Sequence, residues 1–500
     1  MKPMLLTGKP VLVVGAGIMG VGIAQVAAQA GHPVLLFDLR EGAAQQAQSK
    51  LASTLQTLQA KGKLSLDAVQ QTLSRIAVIE QLDAGAHAGL VIEAIVEKTE
   101  AKRSLFKQLE SIVSAHCVLA TNTSSISVTA IANGLAHPER LLGMHFFNPV
   151  PLMKLVEVVS GLQTAPAVAE TIFELSKVWG KVPVHARSTP GFIVNRIARP
   201  YYAETLALLQ EQAASPDQLD ACLRAVGFRM GPCELMDLIG HDTNFAVTQS
   251  VFEANFFDKR YVPSLVQREL VDGGLLGRKS GRGFFDYSAG VTAPVAPEQP
   301  QTCAVPAHRA LVLMGSGALA ERLFKRLQLT GVNPGRDTQA DWTGLSVDGA
   351  QLRLSDGRTA SQLGPAVAVF DRPVADQVGM RLAWAASCAA SPDWVQAAAQ
   401  WLRALGFVPV QVADTPGLVV ARTLAMLINE AADAVHQGVC TETGADAAMK
   451  LGLNYPAGPF EWLAAWSVRG VITLLDALDD HYRGERYRVS PWLRQRADLA

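Results

Sequence analysis

The feature that most constrains this chain is that it repeats itself. Residues 180–204 align with residues 406–430 at a constant offset of 226 and share ten identities in 25 positions: Gly180, Val182, Pro183, Val184, Thr189, Pro190, Gly191, Val194, Arg196 and Glu204. Chance alignment at ordinary residue frequencies gives roughly one or two. The match continues past small insertions, since Gly231-Pro232-Cys233-Glu234 resembles Gly458-Pro459-Phe460-Glu461. A weaker echo sets Leu311-Val312-Leu313-Met314-Gly315-Ser316-Gly317 against Leu12 to Gly17 at an offset near 300. Such a chain folds as two versions of one unit.

The first copy tells what that unit is. Val11-Leu12-Val13-Val14 runs into Gly15-Ala16-Gly17-Ile18-Met19-Gly20, an alanine-rich helical stretch reaches Ala30, and Pro33 to Asp38 is again apolar. Short apolar strands alternating with helix-length segments indicate βαβ units and a parallel sheet. Leu90 to Val96 and Arg140 to Phe146 read as further buried strands, with helices around 101–113 and 125–133. The predicted class is α/β, a Rossmann-type doubly wound parallel sheet over residues 1–187. At Thr189-Pro190-Gly191 the pattern changes: Thr suits a helix N-cap, Pro the first helical position, and helical periodicity follows to about Gln212. Residues 188–288 are therefore expected to form an all-helical domain. Pro294, Pro297, Pro300 and Pro306 mark 289–306 as a linker. The pair then recurs in degenerate form, as a shortened Rossmann-like domain over 307–412 and a second helical domain over 413–500. Five hundred residues suggest three or four domains at about 150 each; the repeat makes it four, in two unequal pairs.

Composition excludes several partners. With 44 Lys+Arg against 45 Asp+Glu there is no overall electrostatic basis for binding nucleic acid or an anionic membrane. No apolar run approaches the roughly 18 residues of a transmembrane helix, and no signal peptide is read at the start. The six cysteines are too scattered for a zinc pattern and too few for a disulfide framework, which suits a reducing cytoplasm and no metal.

The chemistry begins at Gly15-x-Gly17-x-x-Gly20. The motif ends a strand and opens a helix, and Asp38 closes the next strand 23 residues beyond Gly15. Such glycines let the backbone approach a pyrophosphate at a helix N-terminus, while the carboxylate accepts from the adenosine ribose hydroxyls and repels a 2′-phosphate. NAD is favoured over NADP; Arg40 is the one residue arguing the other way. His145 ends a strand at the edge where ligands bind in such sheets, and Glu157 lies twelve residues on. An enzyme oxidising an alcohol needs a base for the hydroxyl proton. Neutral imidazole backed by a carboxylate meets that need.

These segments together resemble the 3-hydroxyacyl-CoA dehydrogenase family: Val91-Ile92-Glu93-Ala94-Ile95-Val96-Glu97, Thr121-Asn122-Thr123-Ser124-Ser125, His145-Phe146-Phe147-Asn148-Pro149 and Thr189-Pro190-Gly191-Phe192-Ile193-Val194-Asn195-Arg196. The likeness is dense over 9–288, and Leu276 to Phe285 looks like the family's closing signature. The tail, with Gly452-Leu453-Asn454-Tyr455-Pro456 and His481 to Tyr487, is similar to a longer bacterial branch that includes dehydrogenases of phenylacetate degradation.

The resemblance implies His145 as general base, Glu157 as its partner, Ser124 on the substrate hydroxyl or ketone, and Asn195 on the acyl oxygen. It places Gly15, Gly17, Ile18, Met19, Gly20, Asp38, Glu97, Lys102, Asn122, Asn148 and Lys279 at NAD or along its cleft. Lys50, Lys61 and Lys63 lie where the family has a basic arm suited to CoA phosphates. If the acyl chain is dicarboxylic, Arg196 and Arg199 are candidates for its far carboxylate. The second half departs from this pattern: no histidine lies between His308 and His436, Asn195 corresponds to Ala421, and Gly20 corresponds to Ala320. It is expected to be a structural relic without a second NAD site.

The implied activity is NAD-dependent oxidation of an (S)-3-hydroxyacyl-CoA to the 3-oxoacyl-CoA. Alternatives are a 3-hydroxyacid dehydrogenase acting without CoA, or a non-catalytic NAD- or CoA-binding protein on this scaffold. The nucleotide-binding strand starts within a dozen residues of Met1, so a monofunctional enzyme is expected. The expected assembly is a homodimer, or a monomer whose helical domains form an internal pseudo-dimer.

Overall fold

The computed structural model describes residues 6, 8–288, 305–374 and 376–499. The predicted linker lies almost wholly outside the described residues. The chain divides into two compact units that do not follow chain order: residues 1–196 with 434–453, and residues 197–433 with 454–500.

The first unit is built on eight strands, β1 (Val11–Val14), β2 (Val34–Phe37), β3 (Ile76–Val78), β4 (Leu90–Glu93), β5 (Val118–Thr121), β6 (Leu141–Phe146), β7 (Leu155–Ser160) and β8 (Val182–Arg187). Their order is β3-β2-β1-β4-β5-β6-β7-β8. β1, β4 and β5 are buried at every position, as apolar runs covered on both faces must be. Val13, Ile23, Leu36, Ile92, Val118 and Met144 are among the core residues that join sheet and helices. Neighbours are parallel except β6 and β7, which run antiparallel and set His145 directly opposite Glu157. Chain direction across the sheet switches between β1 and β4, leaving the crevice in which such sheets bind nucleotides.

The last part of this unit comes from the second repeat. The helix Glu442–Leu453 packs on β7 and β8 so closely that a Cβ on Gly452 would lie 2.8 Å from the Leu155 side chain.

The second unit holds a smaller sheet of β9 (Leu311–Met314), β10 (Gly335–Asp337), β11 (Gly344–Val347), β12 (Ala350–Leu354), β13 (Val367–Phe370), β14 (Met380–Ala386) and β15 (Phe407–Gln411), in the order β10-β9-β11-β12-β13-β14-β15. The strand beside β9 is β11, and it runs antiparallel to both neighbours. It forms a hairpin with β12 through Asp348 and Gly349, both at positive φ, as a tight two-residue turn requires. On β14 packs the helix Pro216–Ala225 of the first repeat.

Helices of both repeats meet in this unit around buried ion pairs that exchange partners. Glu204 of the first repeat accepts from Arg422 (2.7 Å), Arg486 (2.8 Å) and the Tyr487 hydroxyl (3.0 Å) of the second. At the same offset of 226, Arg260 and Tyr261 of the first repeat donate to Glu430 of the second. Burial pushes Glu204 up, but the charges of Arg486 and Arg422 outweigh it and hold the carboxyl below its usual range. Removing one partner of such a buried pair costs about 3–5 kcal/mol. The family-like closing signature is also structural: Cβ atoms on Gly277 and Gly283 would strike Asp237, which accepts from the Phe284 and Phe285 amides and pairs with His241.

One local expectation is corrected. The helix placed after Thr189 begins at Val194, because Gly191 (φ +75°) and Phe192 (φ +46°) form a left-handed turn first. Thr189 does not cap it; the acceptor at its N-terminus is the Glu157 carboxylate, 36 residues away in sequence. The same turn recurs at Gly417 (φ +71°) and Leu418 (φ +52°). Among the described residues no helix is long and apolar enough to cross a membrane.

Candidate active site

The dinucleotide end of the crevice is shaped by three glycines for three different reasons. Gly15 sits at φ +107°, and a Cβ there would lie 2.5 Å from the Ala94 carbonyl oxygen. Gly20 brings the helix Ile18–Gln29 onto β1, and its Cβ would lie 1.8 Å from the Gly15 oxygen. Gly17 has nothing within 4 Å of a built Cβ, so the space before the helix N-terminus is open, and only a glycine leaves it so for a pyrophosphate. Ile18 is exposed and Met19 half-buried at the start of that helix. Asp38, just past β2, accepts from the Ala16 amide (2.8 Å) and from the Arg40 amide and Nε (3.0 and 3.1 Å). Burial raises its pKa, but Arg40 and the Ala16 amide more than compensate, so the carboxyl is held below its ordinary value and stays anionic. Arg40, the residue that argued for NADP, is thus engaged by Asp38 itself. These residues fit NAD.

A chain of polar contacts runs from the end of β4 to the turn after β5. Glu93, fully buried, accepts from Lys102 Nζ (2.6 Å) and Thr121 Oγ1 (2.6 Å). Lys102, 1% exposed, also meets Glu97 at 3.2 Å. Glu97 Oε1 in turn accepts from Thr123 Oγ1 (2.6 Å) and the Ser124 amide (2.9 Å). Burial pushes Glu97 up, while the Lys102 ammonium and these donors hold it below its ordinary value. Lys102 therefore bridges Glu93 and Glu97, and Glu97 holds the turn bearing Ser124.

His145 and Glu157 form the centre. Nδ1 lies 2.5 Å from Glu157 Oε2, and the other carboxylate oxygen accepts from the Ile193 (3.1 Å) and Val194 (2.9 Å) amides. Glu157 is fully buried. A carboxylate oxygen facing Nδ1 suits the tautomer with the hydrogen on Nδ1, in which Nε2 keeps its lone pair. The rings of Phe147 and Phe192 flank the imidazole, with centroids 4.5 and 5.8 Å away. Asn122 Oδ1 accepts from the Phe146 amide (2.9 Å), tying the end of β5 to that of β6. Asn195 Nδ2 reaches the Ser124 carbonyl at 3.4 Å. Behind Glu157 lies Cys440 of the second repeat, its thiol pushed up to about 12 by burial and by the nearby carboxylate.

Comparison with known proteins matches the chain in pieces. The 3-hydroxyacyl-CoA dehydrogenase NAD binding domain covers residues 10–189 and the C-terminal domain of that family covers 191–287 and again 417–500. A 3-hydroxybutyryl-CoA dehydrogenase reduced Rossmann-fold domain covers 352–416. A 3-hydroxyadipyl-CoA dehydrogenase of Escherichia coli (strain K12) is 44% identical over 99% of this chain and 99% of its own. The chain belongs to the 3-hydroxyacyl-CoA dehydrogenase family. It is accordingly an NAD-dependent oxidoreductase of 3-hydroxyacyl-CoA thioesters. The crystal structure of a 3-hydroxybutyryl-CoA dehydrogenase from Escherichia coli K12 superimposes with a TM-score of 0.88, at 43% identity and 99% coverage of both chains. A probable 3-hydroxybutyryl-CoA dehydrogenase of Bacillus subtilis is 40% identical across 56% of this chain and 97% of its own, so a relative of the short kind matches little more than half of this chain.

The structure of this dehydrogenase thus gathers Glu97, Lys102, Asn122, Ser124, His145, Glu157 and Asn195 in the first unit, with Gly15, Gly17, Gly20 and Asp38 just past the ends of β1 and β2 in the same unit. Asn148 is exposed on the turn after β6. Lys279 belongs to the second unit, where its ammonium is hydrogen-bonded to Asp242. Lys50, Lys61 and Lys63 are all exposed. Arg196 and Arg199 are buried and engaged, Arg196 with Gln437 (2.8 Å) and Arg199 with Thr248 (3.1 Å) and the Tyr202 ring. Sequence reasoning passed over Glu93, Thr121 and Thr123; the first stands inside the motif that gave Glu97, and the other two flank Asn122. It also passed over Gln437, Val439 and Cys440, whose place beside the first repeat no local pattern announces.

Proposed function

We propose that the first repeat oxidises a short-chain (S)-3-hydroxyacyl-CoA, and that His145 is the general base of the reaction. The observation that carries this is the 2.5 Å contact of His145 Nδ1 with a fully buried Glu157, which leaves Nε2 as the basic atom at the carboxyl edge of the sheet. The substrate hydroxyl gives its proton to Nε2, and the O–H electron pair becomes the second C–O bond of the 3-oxo product. NAD, which Gly15, Gly17, Gly20 and Asp38 would hold, would supply the acceptor for the hydride leaving C3. The imidazolium formed lies against Glu157, which stabilises it; positioned acid–base groups of this kind contribute about 10²–10⁴-fold. Ser124 Oγ orients the hydroxyl and then the ketone, and the Asn195 amide holds the thioester oxygen. Phe147 and Phe192 keep water from the imidazole. The exposed Lys50, Lys61 and Lys63 suit the CoA phosphates.

Relatives are named for both adipyl and butyryl substrates. Because Arg196 and Arg199 are already engaged, a butyryl-length acyl group is the reading favoured here, with the adipyl group as the second. The test is NADH absorbance from NAD with 3-hydroxybutyryl-CoA, 3-hydroxyadipyl-CoA and 3-hydroxybutyrate. Turnover of a thioester and none of the free acid is expected. Equal turnover of the free acid would remove CoA from the reading, and a strong preference for adipyl would reverse the chain assignment.

A further inference from the structure

The segment bearing Asn195, and the amides that meet Glu157, is fastened at both ends by one short turn of the second repeat. Where β8 ends, the Arg187 amide donates to the Val439 oxygen at 2.9 Å. Where the next helix begins, Arg196, 4% exposed, donates from Nη1 to Gln437 Oε1 at 2.8 Å. Gln437, Gly438 and Val439 form the turn that ends the helix Val420–His436, closed by hydrogen bonds from Gly438 to Val435 and from Val439 to Ala434. Between the two fastenings lie Gly191 and Phe192 in left-handed conformation, and a phenylalanine stays there only where its surroundings over-determine it.

The same clasp occurs again with the roles of the repeats exchanged. The Ala413 amide donates to the Ala213 oxygen at 2.8 Å, and Arg422 donates to Glu211 at 3.2 Å. Each of these residues stands 226 positions from its counterpart. The one difference in the polar pair is that Glu211 serves Arg422 where Gln437 serves Arg196.

We propose that Gln437 is a positioning residue of the first repeat's active site: by holding Arg196 it fixes the 191–196 turn, and with it Asn195 and the Glu157 carboxylate behind His145. The second repeat is then a working part of the catalytic unit although it carries no base of its own. This rests on the roles proposed above for Asn195 and Glu157.

The test compares Gln437→Ala and Gln437→Glu in the full chain. Gln437→Ala is expected to lower kcat/KM for the 3-hydroxyacyl-CoA by about tenfold, the scale of a small misplacement of a reacting group. The Kd for NAD, read by fluorescence without substrate, should stay within about twofold, because the nucleotide motif lies on other strands. Gln437→Glu, which copies the Arg422–Glu211 pair, should recover most of the thioester KM. Hydrogen exchange of the peptide over 191–197 should quicken in Gln437→Ala and return to normal in Gln437→Glu. That readout needs no turnover, so an inactive wild type would count against the proposed function and leave this result standing on its own. Unchanged exchange and kinetics in Gln437→Ala, or equal losses in NAD and thioester binding, would overturn the proposal.

Discussion

His145 and Asp371 occupy the same place in the two repeats, 226 residues apart, and they do opposite things. In the first repeat, β6 and β7 are antiparallel with His145 opposite Glu157; in the second, β13 and β14 are antiparallel, and the Asp371 amide donates to the oxygen of Ala383, the counterpart of Glu157. Each repeat must satisfy the amides at the N-terminus of the helix that follows its left-handed turn. The first does so from β7, through Glu157 on Ile193 and Val194. The second does so from the strand equivalent to β6, through Asp371 on Val419, Val420 and Ala421. Supplying that carboxylate from the neighbouring strand is what frees position 145 for an imidazole. The nucleotide ends differ as well. At the carboxyl end of β1 stands a parallel neighbour, whereas β9 stands beside antiparallel β11, whose amino end brings the Trp342 oxygen to 2.6 Å from a Cβ built on Gly315. The crevice between carboxyl ends that holds a dinucleotide needs parallel strands on both sides.

The comparison is strained hardest by giving the first repeat the second's residue. His145→Asp removes the base and sets a second carboxyl beside Glu157; kcat should fall by about 10³-fold with NAD affinity nearly unchanged. Steady-state kinetics alongside NAD titration check this, and a loss below about tenfold would mean that another group takes the proton. Next in size is Glu157→Ala, the residue of the second repeat. It leaves His145 without its orienting partner and the Ile193 and Val194 amides without an acceptor. A fall in kcat of about 10²-fold is expected, with a stability loss of about 1–3 kcal/mol for the buried donors left unpaired. The double variant His145→Asp with Glu157→Ala makes the first repeat imitate the second. Denaturant unfolding should show it more stable than Glu157→Ala alone, while activity stays lost. If stability is not regained, the two carboxylates are not alternative answers to one need.

How much of this was legible in the sequence follows from the range of each constraint. The glycine motif was readable because its reasons are local: Gly20 must approach Gly15, five residues away. The repeat was readable because its identical residues serve needs met twice, such as the left-handed glycine at 191 and 417 and the exchanged ion pairs of Glu204 and Glu430. The expected Thr189 cap failed because the real acceptor arrives from another strand, and no local pattern competes with that. Asp371 stood at the right offset, yet a search for a second histidine passes over it, since the shared requirement is a helix terminus and not a base. The Asp348-Gly349 hairpin was a strong local signal that the Rossmann pattern of the first repeat led the eye past. Which repeat lends its helix to which sheet was not readable at all, for such contacts join residues more than 150 positions apart.

The smallest expected effect, on stability alone, concerns Asp371 itself. Burial pushes this carboxyl up to about 6, against the pull of the Val420, Ala421, Arg372 and Val419 amides. The folded chain then holds the proton more tightly than the unfolded chain, in which an aspartic acid titrates near 3.9. The stabilisation from that proton is complete below about pH 4 and is lost as the pH rises through about 6, at most ~3 kcal/mol over the window. Asp371→Asn should leave kcat unchanged, because the amides that this carboxyl accepts from, those of Arg372, Val419, Val420 and Ala421, all belong to the second repeat. The variant has no proton to lose, so the stability gap between wild type and Asp371→Asn should shift in the variant's favour between pH 4 and pH 7. Chemical denaturation at several pH values measures that gap. A shift in the opposite direction would show that the four amides outweigh burial and that the second repeat keeps its carboxylate charged.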